Sequence, residues 1–208
     1  TTPFHQDYVH FQSKKQITTW IPLGDCDIEL GGLGILPNSH KKRLKHEFSL
    51  GAGNLKINSE IKSNSVYTTN YKCGDLLIFD VNLIHGALPN YTDQKIRLSL
   101  DNRFQEIGHP VAEHLLEPHL FDQSKIGWDE IYKNWEDSDD NLKYYWKKYD
   151  HQVLKRDEQY IELAVDDAIN KAYSNQKDAL NFLNRLQKLD PESKNGKKAS
   201  EALLAINN

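Results

Sequence analysis

The chain has 208 residues, 38% of them hydrophobic and 27% charged, a balance that suits one globular domain with an appendage and excludes collagen, a coiled coil or a disordered tail. Its formal charge of −4 supplies no basic field for a phosphate backbone, so nucleic acid is not an expected partner. No apolar run approaches the roughly 18 residues needed to span a membrane, and two cysteines, Cys26 and Cys73, argue against a disulfide framework and for a reducing, cytoplasmic setting with no membrane partner.

Methionine is absent, position 1 included. Thr1-Thr2-Pro3-Phe4 carries no helix- or strand-start punctuation, so the sequence reads as an N-terminally truncated portion of a longer chain. Residues 1–108 have the texture of short extended runs between turns. Residues 15–23 are rich in β-branched and aromatic side chains and predict a strand. Gly31-Gly32-Leu33-Gly34 supplies a tight turn before Ile35-Leu36 and the break at Pro37-Asn38. Residues 50–65 are polar and read as a surface loop. After the turn at Cys73-Gly74-Asp75, the apolar run Leu76 to Phe79 predicts a strand buried on both faces. Beyond it, Ile96, Leu98 and Leu100 share one parity while Arg97, Ser99, Asp101 and Arg103 share the other, so a strand here sends its polar side chains to one face.

Past Gly108-His109-Pro110 the period changes to about 3.6 and the remainder reads as helical. Trp128, Ile131, Tyr132 and Trp135 form one stripe, which is expected to pack against the β portion. Ser138-Asp139-Asp140 is placed to cap a helix running through Tyr144, Tyr145, Trp146 and Tyr149. Residues 157–206 predict two or three further helices, broken near Asp190-Pro191 and Gly196.

The chemistry-bearing residues lie in the first half. His5 and Asp7 are metal-competent groups at i and i+2, which an extended strand projects from one face. Alone the pair is a weak signal, because nine histidines meet an aspartate two residues on about once by chance. His85 strengthens it, ending an apolar segment just before Gly86 and the Pro89-Asn90 turn. Two histidines and a carboxylate form the facial triad of non-haem Fe(II), with zinc the rival metal. Arg97 and Ser99 follow on one strand face, and an arginine fork with a neighbouring hydroxyl suits the far carboxylate of a dicarboxylic cosubstrate. The alternative is that Arg97 pairs with Asp101 or a surface acid. Arg103, of the same parity, is the reserve for that carboxylate. His10 has the opposite parity to His5 and should point away. His40 precedes Lys41-Lys42-Arg43, which reads as a solvated loop, and Trp20 either lines the pocket or is a buried structural side chain.

Over about residues 3–104 these features resemble the phytanoyl-CoA dioxygenase family of Fe(II)- and 2-oxoglutarate-dependent oxygenases. The resemblance rests on His5-Gln6-Asp7, the strand Thr19-Trp20-Ile21-Pro22-Leu23, the segment from Gly31 through Pro37-Asn38-Ser39-His40-Lys41, Gly74-Asp75, His85, Asn90 and Arg97-x-Ser99. It implies that His5, Asp7 and His85 ligate iron and that Arg97, helped by Ser99, binds the C5 carboxylate of 2-oxoglutarate. The implied fold is mainly β with a helical C-terminal part: residues 1–108 a partial double-stranded β-helix, the jelly roll or cupin-like catalytic core, and 109–208 a helical extension. The implied reaction is hydroxylation of a small molecule or acyl conjugate by O₂, with succinate and CO₂ released. Retention of Asp7 favours hydroxylation over halogenation. His5 and His85 are expected to need hydrogen-bond acceptors that fix their tautomers. Two other classes stay open: a non-catalytic interaction protein docking a partner through its helical tail, and a cupin-type metal-dependent hydrolase or isomerase using the same ligands.

Overall fold

The computed structural model describes residues 2–13, 15–49, 53, 55–62, 65–118, 125–136, 141–155, 159–189 and 191–207. One layer of strands is built on β1 (Gln16–Pro22), whose β-branched Ile17, Thr18, Thr19 and Ile21 favour extended backbone. It pairs antiparallel with β5 (Leu77–Asp80) on one side and with β7 (Ser99–Gln105) on the other. The register sets Thr18 between Phe79 and Arg103, and Trp20 between Leu77 and Asp101. Because side chains alternate across a sheet, these residues share one face.

A second set of strands carries the histidines. β2 (Leu33–Ile35) pairs antiparallel with β6 (His85–Ala87). Along the other edge of β6 runs the segment 2–5: His5 and His85 exchange both backbone hydrogen bonds, at 2.9 and 3.1 Å, and Ala87 donates to the Thr2 carbonyl at 2.9 Å. The hairpin of β3 (His46–Phe48) and β4 (Leu55–Ile57) joins through Ile57, which donates to the Phe4 carbonyl at 2.9 Å. Gly86 permits this closeness, since a Cβ there would lie 3.0 Å from the Phe4 nitrogen. Gly31 turns the chain at φ +78°, where a side chain would strike the Pro89 carbonyl.

Trp20, Cys26, Leu30, Leu33, Tyr71, Phe79 and Leu83 form the core between these strands. A second core belongs to three helices, α3 (Gln159–Tyr173), α4 (Lys177–Leu189) and α5 (Lys194–Asn207). There Val165, Ala168, Leu183 and Leu203 pack on Leu55 of β4 and on Val9 of α1 (Tyr8–Phe11). The C-terminal bundle therefore braces the turn that follows His5 and Asp7. Among the described residues no helix is long and apolar enough to cross a membrane.

Several expectations change. Residues 50–65 are not all loop, because Leu55 and Ile57 are buried in β4, under the helices and beside Phe4. The run from Leu76 to Phe79 is covered on one face only: Phe79 is buried, whereas Ile78 is 57% exposed. Its outward neighbours Ile17, Leu100 and Phe104 are also exposed, so it is the polar parity of β7 that turns inward. The region after 108 contains a short parallel pair, β8 (Val111–Ala112) with β9 (Val153–Leu154), as well as helices. The aromatic stripe gives only a short helix, α2 (Trp128–Tyr132). Its rings pack on one another and on Trp146 rather than into the β core, and Trp135 is 41% exposed. The cap predicted at Ser138-Asp139-Asp140 and the break at Asp190 lie outside the described residues. Tyr144 adopts φ +50° and leads into a single 3-10 turn, Tyr145–Lys148. The helical breaks fall at Asn175, with φ +57°, and before α5; Gly196 is not a break but lies buried inside α5.

Candidate metal centre

The antiparallel pairing of His5 with His85 places their imidazoles side by side, 4.4 Å between ring centroids. The chain then leaves the extended conformation. Asp7 has helical backbone angles, φ −61° and ψ −26°, and begins α1. Gln6, fully buried, holds this turn. Its Nε2 donates to the carbonyls of Lys42 and Asn82, and its Oε1 accepts from the Leu44 N–H at 2.8 Å. The Gln6 N–H donates to His46 Nε2 at 3.0 Å, while His46 Nδ1 donates to the Leu44 carbonyl at 2.9 Å. One buried amide and one imidazole thus tie the turn to two other stretches of backbone.

Both candidate ligand histidines are fixed in the same tautomer. His5 Nδ1 lies 2.8 Å from the Pro3 carbonyl and His85 Nδ1 lies 3.0 Å from the Leu83 carbonyl. A carbonyl only accepts, so each Nδ1 carries the proton and each Nε2 presents its lone pair. Those lone pairs converge on one carboxylate oxygen: Asp7 Oδ1 is 3.3 Å from His5 Nε2 and 3.6 Å from His85 Nε2. Oδ1 is buried and has no hydrogen-bond partner. Three buried electron donors facing one another repel unless a cation sits among them, and all three ligand atoms lie within 4.8 Å of each other. Two neutral imidazoles and a carboxylate are a donor set for a divalent first-row metal.

Electrostatics keep the donors in the form a metal needs. Burial pushes His85 down to about 4, with the Asp7 charge opposing it only in part, so the ring is neutral at pH 7. Burial works to raise the Asp7 carboxyl, but the surrounding imidazoles and the Arg103 guanidinium outweigh it and hold the group far below the usual carboxylate range. The second oxygen, Oδ2, accepts from Thr18 Oγ1 at 2.7 Å and from Arg103 Nη2 and Nε at 3.1 and 3.3 Å. Phe79 packs against His85 with ring centroids 4.6 Å apart.

The Phytanoyl-CoA dioxygenase (PhyH) family profile matches residues 1–99, the stretch that contains all three of these side chains. Over this stretch the chain is similar to the phytanoyl-CoA dioxygenase family. Among similar proteins, the 1-deoxypentalenic acid 11-beta-hydroxylase of Streptomyces exfoliatus is 27% identical over 124 residues, which are 54% of this chain and 42% of that protein. Among solved structures, EvdO2 of Micromonospora carbonacea var. aurantiaca, crystallised with 2-oxoglutarate, is 24% identical with a TM-score of 0.40, covering 49% of this chain and 42% of that one. SnoN, the non-haem α-ketoglutarate-dependent epimerase of nogalamycin biosynthesis, is 22% identical with a TM-score of 0.38, covering 51% and 39%. This chain spans less than half the length of each of these relatives.

The structure brings together three of the five site residues read from the sequence, His5, Asp7 and His85. Arg97 lies apart from them, two residues before β7, with its guanidinium 5.5 Å from the centre of the Trp20 ring. Ser99 is half-buried at the start of β7, opposite Pro22. Among the described residues no carboxylate partners Arg97; the expected partner Asp101 is taken by Arg103, at 2.7 Å. Arg103 is thereby removed as the reserve for a cosubstrate carboxylate, since Asp7 and Asp101 occupy it. His10 does not point away. Strand parity fails in a helical turn, and its ring lies edge-on to His5 at 5.8 Å, outside the three-ligand group. His40 is exposed, and Arg43 of the basic run is tied to Asn82 and the Tyr8 ring. Trp20 is buried, edge-on to Tyr71, in the core. Sequence reasoning missed Thr18, and it missed the roles of Gln6 and His46 in holding the turn. Strand parity offered a signal for Thr18, which is two residues from Trp20 on the same face.

Proposed function

We propose that the protein is an Fe(II)- and 2-oxoglutarate-dependent oxygenase that hydroxylates a small molecule or acyl conjugate. The observation that carries this reading is the convergence of two Nε2 lone pairs and an unpartnered Asp7 Oδ1, on a stretch that matches the phytanoyl-CoA dioxygenase family profile. His5, Asp7 and His85 hold the iron. Iron bound there, with 2-oxoglutarate and O₂, supplies an oxidant for an unactivated C–H bond while 2-oxoglutarate leaves as succinate and CO₂.

The chain's own residues do the rest. Pro3 and Leu83 hold the imidazole protons away from the metal through their carbonyls. Phe79 and the surrounding core keep His85 dry. Arg97 binds the C5 carboxylate of 2-oxoglutarate, with Ser99 donating to the same group; the absence of a carboxylate partner on Arg97 among the described residues supports this assignment. Trp20 supports the guanidinium from below through a cation–π contact. The two sets of strands enclosing the ligands support a jelly-roll core over residues 1–108, with 109–208 as its helical extension.

The test is anaerobic titration of Fe(II) and then 2-oxoglutarate, followed by the visible charge-transfer absorption of chelated 2-oxoglutarate. The band is expected with the unaltered protein and is lost in His85→Ala. In Arg97→Ala, Fe(II) still binds and 2-oxoglutarate affinity falls about 10- to 100-fold, the range for losing a hydrogen bond to a charged group. A protein that binds Fe(II) but never 2-oxoglutarate would instead be a hydrolase or isomerase of cupin type; one that binds neither would leave the interaction-protein reading.

A further inference from the structure

Asp7 is held asymmetrically, and the asymmetry comes from the register of the three-stranded sheet. Thr18 and Arg103 are direct cross-strand partners in β1 and β7, on the face turned toward the histidines. An ionised carboxylate oxygen offers about two lone-pair directions. On Oδ2 both are taken: Thr18 Oγ1 occupies one at 2.7 Å, and Arg103 covers the other with Nη2 at 3.1 Å and Nε at 3.3 Å. On Oδ1 neither is taken by a hydrogen bond. Arg103 is itself immobilised. Its Nη1 donates to Asp101 Oδ1 at 2.7 Å and to the Asp101 carbonyl at 3.2 Å, and its guanidinium lies 4.5 Å from the centre of the Phe11 ring. Thr18 is completely buried, so its hydroxyl has no water to choose instead.

We propose that Thr18 and Arg103 are positioning residues that reserve Oδ1 of Asp7 for the metal and prevent the carboxylate from chelating it through both oxygens. The consequence is chemical. A carboxylate bound through one oxygen takes one coordination position; one bound through two takes a further position that the cosubstrate or O₂ would need. Arg103 thus protects the open face of the centre without touching substrate, and Asp101 and Phe11 keep it in place. The proposal rests on the reading of His5, Asp7 and His85 as metal ligands.

The experiment loads the protein with Mn(II) and counts the water molecules on the bound ion by water-proton relaxation, alongside a thermal melt of each variant. The Thr18→Val and Arg103→Met double variant, saturated with Mn(II), is expected to carry one coordinated water fewer than the unaltered protein, because the freed Oδ2 turns onto the metal. Thr18→Ser and Arg103→Lys keep donors and are expected to keep the original number. A merely structural role would lower the melting temperature and leave the water count alone. A folded, saturated double variant with the original water count overturns the proposal. Should the double variant not fold, the single Arg103→Met variant, altered at a side chain only partly buried, is read by the same criterion. Failure of the underlying reading looks different: the unaltered protein would then show no saturable Mn(II) binding, or binding that His85→Ala leaves intact.

Discussion

The two faces of the three-stranded sheet are patterned in reverse of a simple soluble domain. The inward face presents Thr18, Asp101 and Arg103 beside Trp20 and Phe79, while the outward face presents Ile17, Ile78, Leu100 and Phe104, each between 47% and 59% exposed. Polar groups belong inside only when each has a partner, and here the partners are specific: Thr18 and Arg103 on Asp7, Asp101 on Arg103. The difference teaches that side chains on the inward face were placed for a ligand set, whereas those on the outward face are left about half exposed. Substitutions on the two faces of the same strands should therefore have very different consequences.

The largest effect is expected where the inward face meets its ligands. His85→Ala removes one of three donors, so Mn(II) or Fe(II) affinity measured by calorimetric titration should fall by more than the roughly 100-fold that loss of an outer-shell partner costs. Next comes Gln6→Leu. This change leaves the carbonyls of Lys42 and Asn82 and the N–H of Leu44 without the partner they now share. At about 1–3 kcal/mol for each orphaned buried group, urea unfolding should show a loss of about 3 kcal/mol or more. An unfolding free energy within about 1 kcal/mol of the original would show that water replaces the amide and that Gln6 is not the clasp of the turn. Arg97→Ala should rank below these in stability but not in chemistry, weakening 2-oxoglutarate while leaving metal affinity unchanged.

Acid should act on the buried side as well. Burial lowers His10, His46 and His85 to about 4, whereas an unfolded histidine titrates near 6.5. Between those values the unfolded chain binds more protons than the folded one, so stability is fully present above about pH 6.5 and declines as pH falls toward 4. Thermal melts of the metal-free protein should show a falling midpoint across that window and a flat one from pH 7 to 8. A midpoint constant from pH 7 down to 4 would mean that these rings are hydrated and charged in the folded state.

Local pattern carried the reading of the site as far as local pattern can reach. His5-x-Asp7 is weak by itself and stands out only together with His85, which follows an apolar strand. The shared parity of Asp101 and Arg103 was legible because a strand alternates with period two, whereas Arg97 lies before the strand begins. The same rule misplaced His10, since Gln6 and Asp7 turn into α1 and no residue before them announces it. Long-range register was invisible: nothing near Thr18 says that Arg103, 85 positions later, is its cross-strand partner, and nothing near Gln6 says that residues 42, 44 and 82 supply its hydrogen bonds. Leu55 looked like loop because the helices that cover it lie a hundred residues away.

The smallest effect is expected on the outward face, and it is the one that sharpens the contrast most. Ile78→Thr keeps a β-branched side chain at a strand position whose partner is Thr19, and it removes apolar surface that is already 57% exposed. Exposed substitutions of this kind change stability by no more than about 0.5 kcal/mol, so urea midpoints before and after should nearly coincide and should not depend on protein concentration. Thr18→Val, one residue away along the neighbouring strand but facing inward, strips a buried donor from Asp7 and should cost about 1–3 kcal/mol. A loss for Ile78→Thr that matches Thr18→Val, or one that grows with protein concentration, would mean that the outward face is covered in solution. The reversal of patterning would then be a property of the isolated surface rather than of the protein.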